Sequence, residues 1–269
     1  MNRVKSAVKD VLAMFGFEIS RTTEPKVRFG NFQNLCWAYE ERLREGGPIL
    51  ESNELRATLM ARLLGTPPSE AYFLVLALAK TREMSGDVCE FGVAQGETSA
   101  LIANEIRGGS SLLHLFDSFE GLPKPTQKDQ LRDDIFALGS MEAYAGLMSC
   151  PEEMVQARLN AVAFPSNRVV IHKGFVEKTI ELGRDLPNAV RFAYIDFDFY
   201  EPIKRTLMYL HSVTSPGAVI IVDDYDYFST GAKTATDEFV KEIASIDGEY
   251  EVVVPAKAYG HFAVLTRKK

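Results

Sequence analysis

The chain has 269 residues and a formal net charge of −7, and 46% of its residues are hydrophobic. This composition excludes collagen-like and low-complexity proteins, and the length suits one large domain or one domain with an elaboration. The surplus of acidic residues argues against a nucleic-acid partner, because phosphate binding needs a concentrated basic face. The longest apolar run, residues 71–79, is half of the ~18 residues that cross a bilayer, so we expect no stable membrane insertion.

The first third of the chain is predicted to be helical. Apolar residues three or four apart over residues 4–15 indicate a short amphipathic helix, packed on the body, on another subunit or on a membrane. Residues 21–33 are predicted as loop. We assign residues 1–84 to an N-terminal helical extension. Its other helices are expected over residues 35–45, 54–64 and 69–84.

From residue 85 onward, short apolar runs alternate with helical patterns. Such alternation predicts a mostly parallel sheet with helices on both faces. Two further runs, residues 250–255 and 261–266, follow the last helix and bring the sheet to seven strands. The five earlier strands are predicted at residues 88–93, 112–116, 169–172, 193–195 and 218–222, and the helices at residues 98–106, 202–213 and 232–246.

Residues 120–165 interrupt the alternation between the second and third strands, and they are too many for an ordinary connection. The segment contains prolines, a charged run and two helical patterns. We interpret it as a lid insertion within a catalytic domain of residues 85–269. A mobile cover over the active site and a surface elaboration for subunit contacts both agree with the pattern.

A glycine-containing turn, residues 92–96, follows the first strand. Glycines let a ligand approach the backbone, and the next helix directs its N–H groups to the same place. The turn lacks the G-x-G-x-x-G fingerprint and the phosphate-cradling G-K-[ST] end. It favours a ligand with an amino-acid end, such as S-adenosylmethionine, although glycine turns are common in α/β proteins. Asp117 ends the second strand, where it holds two ribose hydroxyls or caps the following turn.

Four aspartates follow two strands of the predicted sheet: Asp196 and Asp198 the fourth strand, Asp223 and Asp224 the fifth. Ligands of doubly wound sheets bind beyond the carboxyl ends of the strands, so these side chains should converge beside Gly92. Strand alternation would put Asp196 and Asp198 on one side. Converging carboxylates repel one another unless a cation is present, and oxygen donors favour Mg²⁺, Mn²⁺ or Ca²⁺. Solvated helix caps are the alternative.

Three cysteines, Cys36, Cys89 and Cys150, are far apart and lack C-x-x-C spacing. This arrangement favours neither a disulfide framework nor a zinc site. The first 22 residues show no signal-peptide pattern. We therefore expect a cytoplasmic protein.

Five segments carry motifs of one known family: residues 88–100, 116–123 (FDSFEGLP), 173–179 (KGFVEKT), 195–202 (IDFDFYEP) and 216–225 (PGAVIIVDDY). They resemble the macrocin O-methyltransferase family, whose members include enzymes that methylate sugar hydroxyls of macrolide and aminocoumarin antibiotics. The resemblance covers roughly residues 60–266. It implies a Rossmann-like class I methyltransferase fold.

The resemblance also implies roles for individual residues. A metal ion, expected to be Mg²⁺, is held by Asp196, Asp223 and Asp224, and Asp198 is the general base. S-adenosylmethionine binds at the glycine turn, with its adenine near Gly174 and Phe175. The candidate cofactor-binding residues are Glu90, Gly92, Gly96, Thr98, Ser99, Asp117, Ser118, Phe119, Gly174, Phe175 and Asp196.

The expected function is methyl transfer from S-adenosylmethionine to a hydroxyl of a sugar, in a glycan or a glycosylated metabolite, by a homo-oligomer. A sugar hydroxyl is a poor nucleophile, and a divalent cation with a nearby carboxylate lowers its pKa and orients it. An alternative is a glycosyltransferase, because the D-x-D pattern also holds a metal–nucleotide-sugar complex. A non-catalytic domain that only binds the cofactor is a third reading.

Overall fold

The computed structural model describes residues 24–47, 49–246 and 248–269, with side chains from residue 30 onward. The helix predicted at residues 4–15 lies outside the described residues. Within the described ranges, no helix is both long enough and apolar enough to cross a membrane.

Helices make up the N-terminal part of the described chain. They are α1 (Glu24–Arg44), α2 (Arg56–Met60) and α3 (Pro68–Lys80). The prediction of loop over residues 21–33 is wrong from residue 24, where α1 already begins. This stretch is rich in polar and charged residues, so it lacks the regular spacing of apolar residues that would have predicted a helix. The helix packs on α3, for example through the Tyr39 and Tyr72 rings, whose centroids are 5.9 Å apart.

Seven strands form one sheet, as predicted, in the order β3-β2-β1-β4-β5-β7-β6. Strands β1 to β5 pair in parallel, and β7 runs antiparallel to both β5 and β6. The strand order reverses beside β1, between β1 and β4, where ligands of such sheets bind. The strands are β1 (Asp87–Phe91), β2 (Leu113–Asp117), β3 (Val169–Lys173), β4 (Val190–Ile195), β5 (Thr214–Val222), β6 (Tyr250–Val253) and β7 (Ala263–Arg267).

Helices cover both faces of the sheet, because alternate strand residues point to opposite sides. Val88 and Phe192 belong to the core that includes α3 and α4 residues, whereas the adjacent Cys89 and Ala193 face the other core. The first face is covered by α3, α4 (Glu97–Ile106) and α5 (Glu152–Ala161), and the second by α6 (Val176–Leu182), α7 (Tyr200–Val213) and α8 (Gly231–Ala244).

The insertion, residues 120–165, leaves the sheet after β2 and returns before β3, as predicted. Its middle packs on the body through a small third core, in which Met141 and Tyr144 of the insertion meet Phe199 and Phe228. Its charged run is docked as well, since Arg132 donates its backbone N–H to the carbonyl of Phe228 over 2.8 Å. The insertion therefore contacts the loops that follow β4 and β5.

Candidate functional site

A cavity opens at the carboxyl ends of β1, β2 and β4, with residues of the insertion on one side. Five of the sequence-predicted cofactor residues line it: Gly92, Asp117, Ser118, Phe175 and Asp196. The candidate base Asp198 lines it too. The fold thus brings the glycine turn, the end of β2 and the first pair of aspartates to one place.

Gly92 permits the close approach of β1 and β4 at this cavity. Its φ is +87°, and a Cβ atom there would lie 1.8 Å from the carbonyl oxygen of Asp196. Gly96 follows with a φ of +76° at the start of α4, where a Cβ would meet Val155 of the insertion at 3.1 Å. The backbone itself therefore requires glycine at both positions.

Glu90 is fully buried beneath the turn. Thr98 and Ser99 both donate their hydroxyl hydrogens to its carboxylate. Burial raises the pKa of Glu90 to about 8, although these two hydrogen bonds act in the opposite direction. The three predicted cofactor residues therefore form a buried network between β1 and α4, which supports the turn from below.

Asp117 joins the end of β2 to the glycine turn. One carboxylate oxygen accepts the backbone N–H groups of Val93 and Ala94 over 2.7 and 2.9 Å. The other accepts the N–H of Phe119 over 2.6 Å. The Gly174 N–H reaches the Asp117 carbonyl over 2.9 Å. The three hydrogen bonds to the carboxylate leave it one acceptor position for a ligand, and they hold the turn in shape.

Asp196, Asp198 and Asp224 bring carboxylate oxygens within 4.8 Å of one another. Burial, followed by the charges of Asp223 and Asp198, raises the pKa of Asp196 well above its ordinary value. The pKa of Asp224 is likewise raised, by burial and then by contact with Asp198. Such a group of oxygen donors fits a divalent cation, which would remove the repulsion.

The pair Asp196 and Asp198 does not meet through strand alternation. Strand β4 ends at Ile195, and Asp198 has a φ of +63°, in the left-handed region. A turn therefore brings its carboxylate back toward Asp196 and Asp224, and this backbone strain is typical of functional sites.

Asp223 is oriented differently from the other three aspartates. Its carboxylate accepts the Tyr194 hydroxyl, and its other oxygen accepts the Asp224 N–H over 2.7 Å. Burial raises the pKa of Asp223, while contact with the Glu70 side chain and the hydrogen bond from Tyr194 oppose this. The candidate base Asp198 therefore lies with two of the candidate metal ligands. The third candidate ligand, Asp223, contacts Tyr194 of β4 instead.

Sequence reasoning missed Glu70, a carboxylate of α3 that is only 1% exposed. Its oxygens meet the Asp223 carboxyl group rather than any N–H or O–H donor of the described residues. A Cβ at Gly260 would lie 2.3 Å from Glu70 Oε2, so a glycine is required opposite it. Its buried position, next to the apolar run of α3, gave no sequence signal for a functional residue.

The family assignment follows from a comparison with protein-family models. Residues 74–252 match the macrocin-O-methyltransferase (TylF) family. The chain belongs to this family. The match includes the glycine turn, the insertion and all four aspartates, and it ends within β6.

Individual relatives agree with this macrocin O-methyltransferase assignment. A curated sugar methyltransferase of Streptomyces olivaceus, 8-demethyl-8-(2,3-dimethoxy-alpha-L-rhamnosyl)-tetracenomycin-C 4'-O-methyltransferase, is 30% identical over 147 residues, which is 52% of this chain and 53% of the relative. The match thus spans about half the length of that relative.

Two solved structures show the same fold. The O-methyltransferase NovP is 20% identical with a TM-score of 0.60, covering 75% of this chain and 81% of NovP. The calicheamicin methyltransferase CalS11 is 18% identical with a TM-score of 0.54, covering 93% and 95%. The Rossmann-like methyltransferase fold predicted from the sequence is confirmed.

Proposed function

We propose that this protein is an O-methyltransferase that transfers the methyl group of S-adenosylmethionine to a hydroxyl of a sugar, in a glycan or a glycosylated metabolite, with Mg²⁺ bound at the aspartates. The observation that carries the proposal is the group formed by Asp196, Asp198 and Asp224, which borders a cavity at the glycine turn. The named activity of the Streptomyces olivaceus relative supports a sugar as the acceptor.

S-adenosylmethionine is proposed to lie between the glycine turn and Phe175, which borders the same cavity. Asp117 faces the ribose, and the backbone at Gly92 accommodates the amino-acid end. Ser118 lines this pocket, and Phe119 and Gly174 are the chain neighbours of the lining residues Ser118 and Phe175. Glu90 with Thr98 and Ser99 supports the glycine turn. Gly96 begins the helix whose N–H groups point toward the carboxylate of the ligand.

The metal ion is proposed to be held by Asp196, Asp223 and Asp224, in line with the family resemblance. When bound there, Mg²⁺ supplies a positive charge that favours the ionised form of a neighbouring hydroxyl. Asp223 can contribute because each of its oxygens keeps a lone pair beyond the hydrogen bond that it accepts.

Asp198 is proposed as the general base. A base must lie within hydrogen-bond reach of the hydroxyl that it deprotonates. Its carboxylate is close to those of Asp196 and Asp224 and borders the cavity, which supports this role. The protein would align the acceptor oxygen with the methyl group and the sulfur for an in-line displacement.

The test combines binding and turnover. Calorimetry should detect S-adenosylmethionine binding but no UDP-sugar binding, and labelled methyl groups should reach sugar hydroxyls in a panel of glycosides and glycans. EDTA should abolish the transfer and Mg²⁺ should restore it. Asp224→Asn should lose most activity, and Asp185→Asn, at an exposed aspartate away from the cavity, should not. Binding of UDP-sugars without S-adenosylmethionine, or full activity in EDTA, would contradict the proposal.

A further inference from the structure

The insertion carries one buried carboxylate that the proposed chemistry does not use. Asp129 is 4% exposed although it lies in the charged run of the insertion. One of its oxygens accepts the backbone N–H and the hydroxyl of Thr126, over 2.7 and 2.8 Å. The other accepts the backbone N–H of Tyr200 over 2.7 Å. Its carboxylate therefore spans the insertion and the body.

The contact with Tyr200 fixes the point where α7 begins. Phe199, the residue that precedes this helix, provides no side-chain cap of its own. Asp129 supplies the missing acceptor from 71 positions earlier in the chain, and a carboxylate at a helix N-terminus is favoured by the helix dipole. Asp198 lies only two residues before Tyr200, in a left-handed turn with a φ of +63°. The anchor therefore holds the turn that carries the candidate base.

The same part of the insertion also forms hydrogen bonds with the loop that follows β5. The Gln130 N–H donates to the Thr230 hydroxyl over 2.9 Å, and that hydroxyl donates to the carbonyl of Lys128 over 2.7 Å. A Cβ at Gly231 would lie 2.0 Å from Asp129 Oδ1 and 2.7 Å from the Tyr200 nitrogen. The start of α8 is thus packed directly against the Asp129–Tyr200 hydrogen bond.

From this arrangement we propose that Asp129 is a positioning residue for the active site. Asp129 anchors the start of α7, next to the loop that carries Asp196 and Asp198. The backbones of its neighbours Lys128 and Gln130 hold Thr230, at the end of the loop that carries Asp223 and Asp224. Together these hydrogen bonds form a clamp. The spacing of the four carboxylates then depends on the docked insertion, which acts as a structural part of the metal site. Only the effect on catalysis rests on the proposed function, because the hydrogen bonds of the clamp are present whatever reaction the protein catalyses.

The first measurement is hydrogen exchange of the complete protein, which does not depend on activity. In Asp129→Ala, peptides over residues 196–204 and 223–233 should exchange at least tenfold faster, because the Tyr200 N–H loses its acceptor. Gln127→Ala is the matched control, since it changes an exposed side chain two positions before Asp129 and leaves Asp129 in place. Its exchange in both peptides should stay within twofold of wild type.

The second measurement is binding of Mn²⁺ followed by paramagnetic resonance. Asp129→Ala should weaken Mn²⁺ binding at least fivefold and lower kcat at least tenfold. Binding of S-adenosylmethionine should stay within twofold, because Asp129 makes none of the contacts that shape the glycine turn. Gln127→Ala should leave all three values within twofold.

Two milder variants keep the inference testable if Asp129→Ala does not fold. Asp129→Asn preserves size and one acceptor, and Gly231→Ala preserves Asp129 but forces a methyl group against its carboxylate. Both should shift exchange and Mn²⁺ binding in the same direction. Wild-type exchange in a folded variant would overturn the clamp. If wild-type protein binds no Mn²⁺ yet the exchange result holds, the proposed metal chemistry fails and the clamp stands.

Discussion

Asp198 and Asp223 differ in their surroundings, and this difference predicts different kinetic consequences. Asp198 borders the cavity, whereas Asp223 accepts the Tyr194 hydroxyl. Asp198→Asn should lower kcat by roughly 10²–10⁴-fold, the range for losing a general base, with little change in the Mg²⁺ concentration that gives half-maximal activity. Asp223→Asn should raise that Mg²⁺ concentration at least tenfold and lower kcat at saturating Mg²⁺ much less.

Steady-state rates measured over a Mg²⁺ titration separate the two roles. If Asp198→Asn mainly raises the Mg²⁺ requirement, and Asp223→Asn leaves it unchanged, Asp198 is a ligand. The cation would then lie among Asp196, Asp198 and Asp224, whose oxygens already lie within 4.8 Å of one another.

At Gly92, the structure predicts that a side chain would reduce both stability and cofactor binding. A Cβ at this position would lie 1.8 Å from the Asp196 carbonyl oxygen, and the φ of +87° disfavours any side chain. Gly92→Ala should therefore lower the free energy of unfolding by about 2–4 kcal/mol, from strain and overpacking together. It should also abolish measurable S-adenosylmethionine binding.

Gly108 provides a matched control, because a Cβ there would meet no atom within 4 Å. Urea unfolding of Gly108→Ala should be indistinguishable from that of wild type, and cofactor binding should persist. A Gly92→Ala protein of wild-type stability would mean that β1 and β4 do not approach each other as described.

At the scale of elements, a nearly buried ion pair connects the helices α2 and α4. Arg56 of α2 donates two hydrogen bonds to the Glu105 carboxylate of α4, over 2.9 and 2.6 Å. The side chains are only 15% and 5% exposed. Glu105→Ala should lower the free energy of unfolding by about 3–5 kcal/mol, because it leaves the Arg56 charge buried without its partner.

The control for this ion pair is Arg44→Ala, which removes an exposed pair with Glu40 within one helix. Denaturant midpoints should not move measurably for this variant, since exposed pairs contribute little. Replacing Arg56 and Glu105 together with Met and Leu should recover most of the stability lost in Glu105→Ala. A double variant as unstable as the single one would show that the charges themselves are required.

The sequence predicted the elements best where the signal is local. All seven strands were expected, and the aspartate pairs were placed correctly at the ends of β4 and β5. Strand β4 was predicted to start at residue 193 but begins at Val190. The charged residue Arg191 interrupts the apolar pattern at the start of this strand. That arginine is 5% exposed and bonds to the Thr81 hydroxyl over 3.1 Å, a partner that no local pattern reveals.

Functional details that depend on distant contacts were beyond sequence reasoning. Glu70 reaches Asp223 only because α3 crosses the sheet beside β4 and β5, and Asp129 reaches Tyr200 only because the insertion folds back. Helix α6 was likewise unpredicted, since it has seven residues and too few turns to show a period. Local patterns therefore identify the chemistry, and tertiary packing decides which groups support it.

For the whole molecule, two buried histidines on β2 and β3 predict how stability depends on pH. His114 Nδ1 and His172 Nε2 are 3.0 Å apart, and the His172 ring stacks on Phe116 with centroids 4.1 Å apart. Burial, and then the neighbouring His114, lowers the pKa of His172 to about 4. The unfolded chain, whose histidines have pKa values near 6.5, therefore binds protons more readily than the folded protein.

The sign of the effect follows from this depressed pKa. The contribution of neutral His172 to the free energy of unfolding is complete above about pH 7, and it is lost as the pH falls from 6.5 toward 4. His172→Leu keeps an apolar side chain on the stack but cannot bind a proton. When the pH falls from 7.5 to 5, the free energy of unfolding of wild type should therefore decrease by roughly 1–2 kcal/mol more than that of His172→Leu, allowing for solvent screening.

Urea unfolding at both pH values measures this difference directly, and the comparison cancels the contributions of the aspartates, which titrate in both proteins. His211→Leu is the control, because His211 is partly exposed and hydrogen-bonds Tyr250 over 3.3 Å at the opposite edge of the sheet. Burial lowers the pKa of His211 as well, but His211 is more exposed than His172, so a smaller change is expected. Parallel curves for wild type and His172→Leu would mean that the histidine pair is hydrated and titrates normally.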